Sequence, residues 1–162
     1  KALGICGVDV ETLHMTILND YIPVIVPNDI DNEMEYIDPK DTALEIAVKM
    51  QADKLIYLSR YPGIYTDETR SDVYPRITSE EVEELKKTRH FPEDFMDYLN
   101  HCMDAVHQGV NRAHILDGRI EHVLPIEFFS IDGAGTVVIR DERPLYQREI
   151  STLRGAGGCS GR

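Results

Sequence analysis

Apolar positions along this chain fall into two kinds of run, and their alternation predicts the architecture. Val10, Leu13 and Ile17 recur at i, i+3 and i+7 after Asp9, so a helix capped by Asp9 is expected. Tyr21-Ile-Pro-Val-Ile-Val-Pro27 is apolar without alternation, the pattern of a strand buried on both faces of a parallel sheet. A strand is therefore predicted over Ile22 to Val26, with Pro23 near its start or on an unpaired side. Residues 28 to 40 form a polar loop closed by Pro39, and from Asp41 a helix is expected with Ala43, Ile46, Ala47 and Met50 as its apolar stripe. Glu45 and Lys49 pair at i, i+4 on its exposed side. Leu55 to Leu58 reads as the next buried strand, left through a Pro62-Gly63 turn.

The second half continues the alternation. After a charged loop over 66 to 77, Thr78 and Glu81 make a capping box that opens a short helix bearing Val82 and Leu85. A helix entered at Pro92 carries Phe95, Leu99, Cys102, Met103 and Val106 on one face and ends at Gly109. Ala113 to Leu116 reads as a strand, Asp117-Gly118 as a turn, Val123 to Phe129 as a helix and Thr136 to Ile139 as a last strand. Ala2 to Ile5 is a further apolar, β-prone start. Such alternation predicts an α/β fold, a three-layer α/β/α sandwich around a mostly parallel sheet. Residues 1 to 140 are expected to make the domain, and 141 to 162 a charged, then Gly-rich tail.

At 162 residues the chain is expected to be one domain. Its 17 basic and 29 acidic side chains leave a net charge of −12, which disfavours nucleic acid and anionic lipid as partners. The apolar stretch Ile22 to Pro27 is too short to span a bilayer. Because the chain opens at Lys1 rather than Met, it reads as one that could be a piece of a longer protein. Cys6, Cys102 and Cys159 form no CxxC pair and fit a reducing cytoplasm better than a disulfide framework. The six histidines include no HExxH, so no metal site is expected. Cys102, on a core face, is expected to be inert.

In sheets of this kind ligands bind at the carboxyl ends of strands. Of the loops there, Pro39-Lys40-Asp41-Thr42 carries the most chemistry. Asp41 alone reads as a helix cap, but Lys40 at a helix N-terminus opposes the macrodipole unless an anion lies nearby, so an anion site is a second reading.

Several segments together resemble the amino acid kinase family, most closely its N-acetylglutamate kinase branch. Tyr21-Ile-Pro-Val-Ile-Val-Pro27 is similar to "GYIPVIAP", and Asp41-Thr-Ala-Leu-Glu-Ile-Ala47 to "NADTAAAEIA". Ala52-Asp-Lys-Leu-Ile-Tyr-Leu-Ser59 with Tyr61-Pro-Gly-Ile64 resembles "ADKLIFLTDVPGV". Gly109 to Arg119, His122, Glu127-Phe-Phe129 and Gly133-Ala-Gly-Thr136 resemble "GVKRVHIIDGRVPHALLLELFTDEGIGT", and the order is collinear from about Tyr21 to Val138.

The resemblance implies the C-terminal, ATP-binding half of a three-layer sandwich, and phosphoryl transfer from ATP with Mg to an acyl-amino-acid carboxylate. It implies that Asp41 organises catalytic cations, with Lys40 as a substitute cation because a Lys-Asp pair also resembles carbamate kinases. Ser59, Arg60, Tyr61 and Gly63 stand where the family holds the nucleoside. His122, Glu127, Gly133 and Gly135 stand where arginine-regulated relatives receive their effector. A cytoplasmic homo-oligomer that binds a small amino-acid ligand is implied as well.

The departures from the pattern point the other way. The family's Gly-rich phosphate loop is not in this sequence, and its "GGMIPK" segment corresponds to Glu93-Asp-Phe-Met-Asp-Tyr98. Carboxylates where glycines approach phosphate predict weak ATP binding. The alternative is a catalytically degenerate domain that senses arginine, as in N-acetylglutamate synthases, or that serves assembly alone.

Overall fold

The computed structural model describes residues 7–27, 37–67, 69, 71–130 and 133–140. Four strands, β1 (Lys54–Ser59), β2 (Arg76–Thr78), β3 (Arg112–Asp117) and β4 (Gly135–Ile139), form one sheet in the order β1-β3-β4-β2. β1 runs parallel to β3, with Lys54 opposite Arg112 and Ser59 opposite Asp117. β2 runs parallel to β4, while β3 and β4 are antiparallel, so the sheet is mixed with two parallel pairings of three.

The described residues hold five helices: α1 (Val10–Leu18), α2 (Pro39–Lys49), α3 (Ser79–Thr88), α4 (Glu93–His107) and α5 (Val123–Phe129). The strands' period of two settles the layers. Tyr57 of β1 meets the α4 rings of Tyr98 and His101, which puts α4 on the face shared with Leu55. His114 of β3 stands opposite Ile56 in the ladder and points the other way, to Glu127 of α5. The sheet is thus covered on both faces, as an α/β/α sandwich requires. Its main core lies under α4, whose Phe95, Leu99, Cys102, Met103, Ala105 and Val106 are all buried.

Local signals explain the helix ends. Asp9 caps α1 by accepting from Thr12 N, and the Thr78–Glu81 capping box opens α3 with both reciprocal bonds made. Gly109 follows α4 at φ 106°, a conformation in which a Cβ would be strained. Among the described residues, no helix is long and apolar enough to cross a membrane.

Three expectations need correction. No strand forms over Ile22 to Val26: Ile22 and Val24 are 88% and 87% exposed, and no described strand pairs with them. Apolarity alone does not make a strand; a ladder partner does. Pro23, Ile25 and Pro27 instead border a cavity of about 650 Å³ against α2. The second correction is that α2 begins at Pro39, with Asp38 as its cap through Lys40 N at 2.8 Å, so Asp41 lies within the first turn and is not the cap. The third is β2, inside the stretch read as loop, where pairing with β4 orders three residues that follow Pro75. The expected strand at Ala2 to Ile5 and the tail from residue 141 lie outside the described residues.

Candidate functional site

The parallel strands β1 and β3 end side by side, and the loops leaving them are tied together by Gly118 N donating to Ser59 O at 2.8 Å. Ser59 is buried; its Oγ accepts from Tyr61 N and donates to Tyr61 O, both at 2.9 Å, which folds the loop back over the strand end. Gly63 follows at φ 142°, where a Cβ would overlap Thr136, and Ile64 N donates to Thr136 Oγ1 at 2.8 Å. Beside them, Arg119 grips Asp117 through Nε and Nη2 at 2.8 and 2.7 Å, holding that carboxyl below its usual range.

The N-terminus of α2 faces the same rim, anchored by Tyr57 Oη donating to Lys40 O at 3.1 Å. Lys40 Nζ pairs with the Asp97 carboxylate on α4 and with Asp38 at 3.4 Å. The Asp97 carboxylate raises the Lys40 pKa, against a smaller opposing effect of burial. Asp41 Oδ1 lies 2.8 Å from His101 Nε2, and His101 Nδ1 lies 2.7 Å from the Asp97 carbonyl oxygen. Tyr98 lies under Lys40, with Nζ 5.3 Å from the ring centroid.

The start of α4 closes the rim. Arg60 Nη2 and Tyr61 Oη both donate to the Asp94 carboxylate, at 2.6 and 2.8 Å. The Tyr61 hydroxyl first, then Arg60, hold the Asp94 carboxyl below its ordinary value despite some desolvation. A cavity of about 1050 Å³ runs along this side, with Lys40, Lys86, Arg89 and His90 facing Glu93, Asp94 and Asp97. Arg89 is anchored by donating to the carbonyls of Tyr65 and Thr66 at 2.7 and 2.8 Å.

The candidate site residues therefore divide into two groups. Ser59, Arg60, Tyr61 and Gly63 lie in the loop that leaves β1, and Lys40 and Asp41 join them on this side of the sheet through α4, which pairs Asp94 with Arg60 and Tyr61, Asp97 with Lys40 and His101 with Asp41. On the opposite face of the sheet, Glu127 bridges His114 Nδ1 at 2.9 Å and Ala134 N at 2.7 Å, with side-chain exposures of 7% for Glu127 and 4% for His114. Burial, only partly offset by Glu127, lowers the His114 pKa. Gly133 turns at φ 68° beside that carboxylate, Gly135 abuts the Ile115 carbonyl, and His122 is an exposed residue at φ 59°.

Sequence reasoning missed His101 and Asp97 as site partners and His114 as the partner of Glu127. The first two carried a signal, since Asp94, Asp97 and His101 recur at i, i+3 and i+7 on the polar face of α4. Cys102 is buried with its thiol pKa pushed up by desolvation, as an inert thiol should be. Among the described residues no three His, Cys, Asp or Glu side chains gather to hold a metal ion.

Comparison with known proteins places this geometry in context. The Amino acid kinase family matches residues 5–117. The chain is 33% identical over 153 residues to an acetylglutamate kinase of Aliarcobacter butzleri, covering 92% of this chain and 50% of the relative. It is 36% identical over 143 residues to an acetylglutamate kinase of Methanothermobacter thermautotrophicus, covering 84% of this chain and 49% of the relative. The chain thus spans about half the length of these curated relatives. Among solved structures it is similar in fold to the N-acetylglutamate synthase from Neisseria gonorrhoeae complexed with coenzyme A and L-arginine. There the TM-score is 0.71 at 22% identity, over 95% of this chain and 38% of that one.

Proposed function

Since the chain belongs to the amino acid kinase family, we propose that it is an acetylglutamate kinase-like domain of arginine biosynthesis, from a lineage that transfers phosphoryl groups from ATP to an acyl-amino-acid carboxylate. The observation that carries this reading is that α4 ties both charged segments to one rim, Lys40 and Asp41 at the start of α2 through Asp97 and His101, and Arg60 and Tyr61 beyond β1 through Asp94. Acetylglutamate kinases with 33% and 36% identity support it.

The residues present fit a magnesium-bound triphosphate poorly. Phosphoryl transfer is largely charge neutralisation, so it needs cations open to the phosphates. Here Lys40 answers Asp38 and Asp97, and Arg60 answers Asp94. At the start of α4, where the helix dipole would welcome an anion, Glu93 and Asp94 are themselves anionic. No catalytic step through ATP follows from this arrangement, and weak or absent binding is expected.

That internal pairing favours a second reading, a non-catalytic module that senses an amino acid or serves assembly. Calorimetry of Mg-ATP and of L-arginine against the 162-residue chain discriminates between them. Tight Mg-ATP binding with turnover of N-acetylglutamate restores full catalysis. Arginine binding without either supports sensing, and binding of neither ligand leaves assembly.

A further inference from the structure

His101 is held between two acceptors. Nδ1 lies 2.7 Å from a backbone carbonyl, that of Asp97, which can only accept. Nε2 lies 2.8 Å from Oδ1 of Asp41, whose side chain is 49% exposed to solvent and whose oxygen is again an acceptor. A neutral imidazole carries one N–H, so either tautomer would set one ring nitrogen lone pair against an oxygen lone pair. Only the imidazolium donates to both.

The ring also completes a reciprocal pair of bridges. Lys40 on α2 answers Asp97 on α4, while His101 on α4 answers Asp41 on α2. The titratable groups around the ring are Asp38, Lys40 and Asp41 from α2, Asp97, Tyr98 and Cys102 from α4, and Tyr57 from β1, whose ring centroid is 6.1 Å away. Removing the ring's proton leaves three carboxylates, Asp38, Asp41 and Asp97, facing one ammonium.

We propose that His101 is a positioning residue for Asp41, clamping its carboxylate as an imidazolium that donates to Asp41 and to the Asp97 carbonyl at once, so that loss of one ring proton to solvent breaks one of the two bonds, removes the charge facing Asp41 and weakens the clasp between α2 and α4. Burial draws the imidazole down, but the Asp97 carbonyl and the Asp41 carboxylate together outweigh it, and the ring titrates above its ordinary 6.5. The weight given to Asp41 rests on the functional reading above; the clasp itself does not.

The test is a histidine NMR titration of the 162-residue chain, with ring nitrogen shifts read against pH and His101 assigned through H101Q. His101 is expected to carry protons on both ring nitrogens at pH 6.5 and to lose one only above it. In D41N its midpoint is expected to fall by roughly one pH unit. A midpoint at or below 6.5 in the wild-type chain, or one unmoved in D41N, overturns the proposal. Should D41N fail to fold, the wild-type nitrogen shifts decide alone, since a single neutral tautomer at pH 6.5 refutes the clasp. Mg-ATP calorimetry reads the functional proposal separately: a negative result there leaves the His101 midpoint where it is.

Discussion

Replacing Glu127 by alanine removes the acceptor of two donors at once, the buried His114 ring and the half-buried Ala134 N–H. Its Oε2 receives Ala134 N at 2.7 Å and its Oε1 faces His114 Nδ1 at 2.9 Å, with only 7% of the side chain exposed. A donor left without a partner costs roughly 1–3 kcal/mol, so about 2–6 kcal/mol is expected for E127A, the low end where water reaches Ala134 N. Moving the His114 proton to the other ring nitrogen brings no relief, because Nε2 is buried and has no partner of its own. Glutamine differs: its oxygen can accept from Ala134 N while its amide meets an unprotonated Nδ1, which turns the already partnerless Nε2 from a lone pair into a buried N–H at a cost of about 1–3 kcal/mol. Urea denaturation at constant slope measures both variants. A loss in E127A below about 1 kcal/mol, or an E127Q as unstable as E127A, would show that this bridge is not holding α5 to the β3–β4 corner.

The remaining predictions are these. Leu99, fully buried in α4, should cost about 2–5 kcal/mol when cut to alanine, read by the same denaturation. Gly63→Ala forces a Cβ onto Thr136 at φ 142° and should lose more than about 1 kcal/mol, whereas an unchanged midpoint would mean the loop is free to shift. His114, which is buried, and His101, which is half-buried, should act on pH-dependent stability with opposite sign. His114, lowered by burial, contributes stability above its unfolded pKa near 6.5 that is lost as pH falls through its folded value. His101, raised above 6.5, contributes stability that is full below that pH and lost as pH rises through its folded value. Melting temperatures across about pH 5 to 9 should therefore flatten on the acid side in H114Q and on the alkaline side in H101Q.

What could be read from the chain beforehand was whatever one element decides alone. The α4 stripe of Phe95, Leu99, Cys102, Met103 and Val106 is buried throughout because helical periodicity and burial share one cause. The limits of α5 and the capping box of α3 are local as well. The segment from Ile22 to Val26 and the strand β2 went wrong in opposite directions for one reason. Pairing is a property of two segments: an apolar run with no described partner stays unpaired, while Arg76–Thr78 becomes a strand because β4 lies beside it.

The same distinction governs the site, where it also bears on function. Lys40 and Asp41 were legible as a charged helix start, but their partners lie on α4, His101 being 60 positions beyond Asp41. Only the packing of α2 on α4 turns an isolated cation into one already neutralised. With a net charge of −12 the chain has more carboxylates than cations, and on this rim Lys40, Arg60 and Arg119 each answer a carboxylate of the chain itself. A polyphosphate would have to displace those carboxylates, which stay tethered beside it and repel it, so its binding carries a penalty that a nucleotide site with open lysines does not impose. An amino-acid zwitterion has no such conflict, because its ammonium could take a displaced carboxylate as its carboxylate took the cation. On these pairings a small ligand of mixed charge is expected to meet less conflict at Lys40, Arg60 and Arg119 than a polyanion, and calorimetry with L-arginine against Mg-ATP checks it: tighter Mg-ATP binding would refute the reasoning.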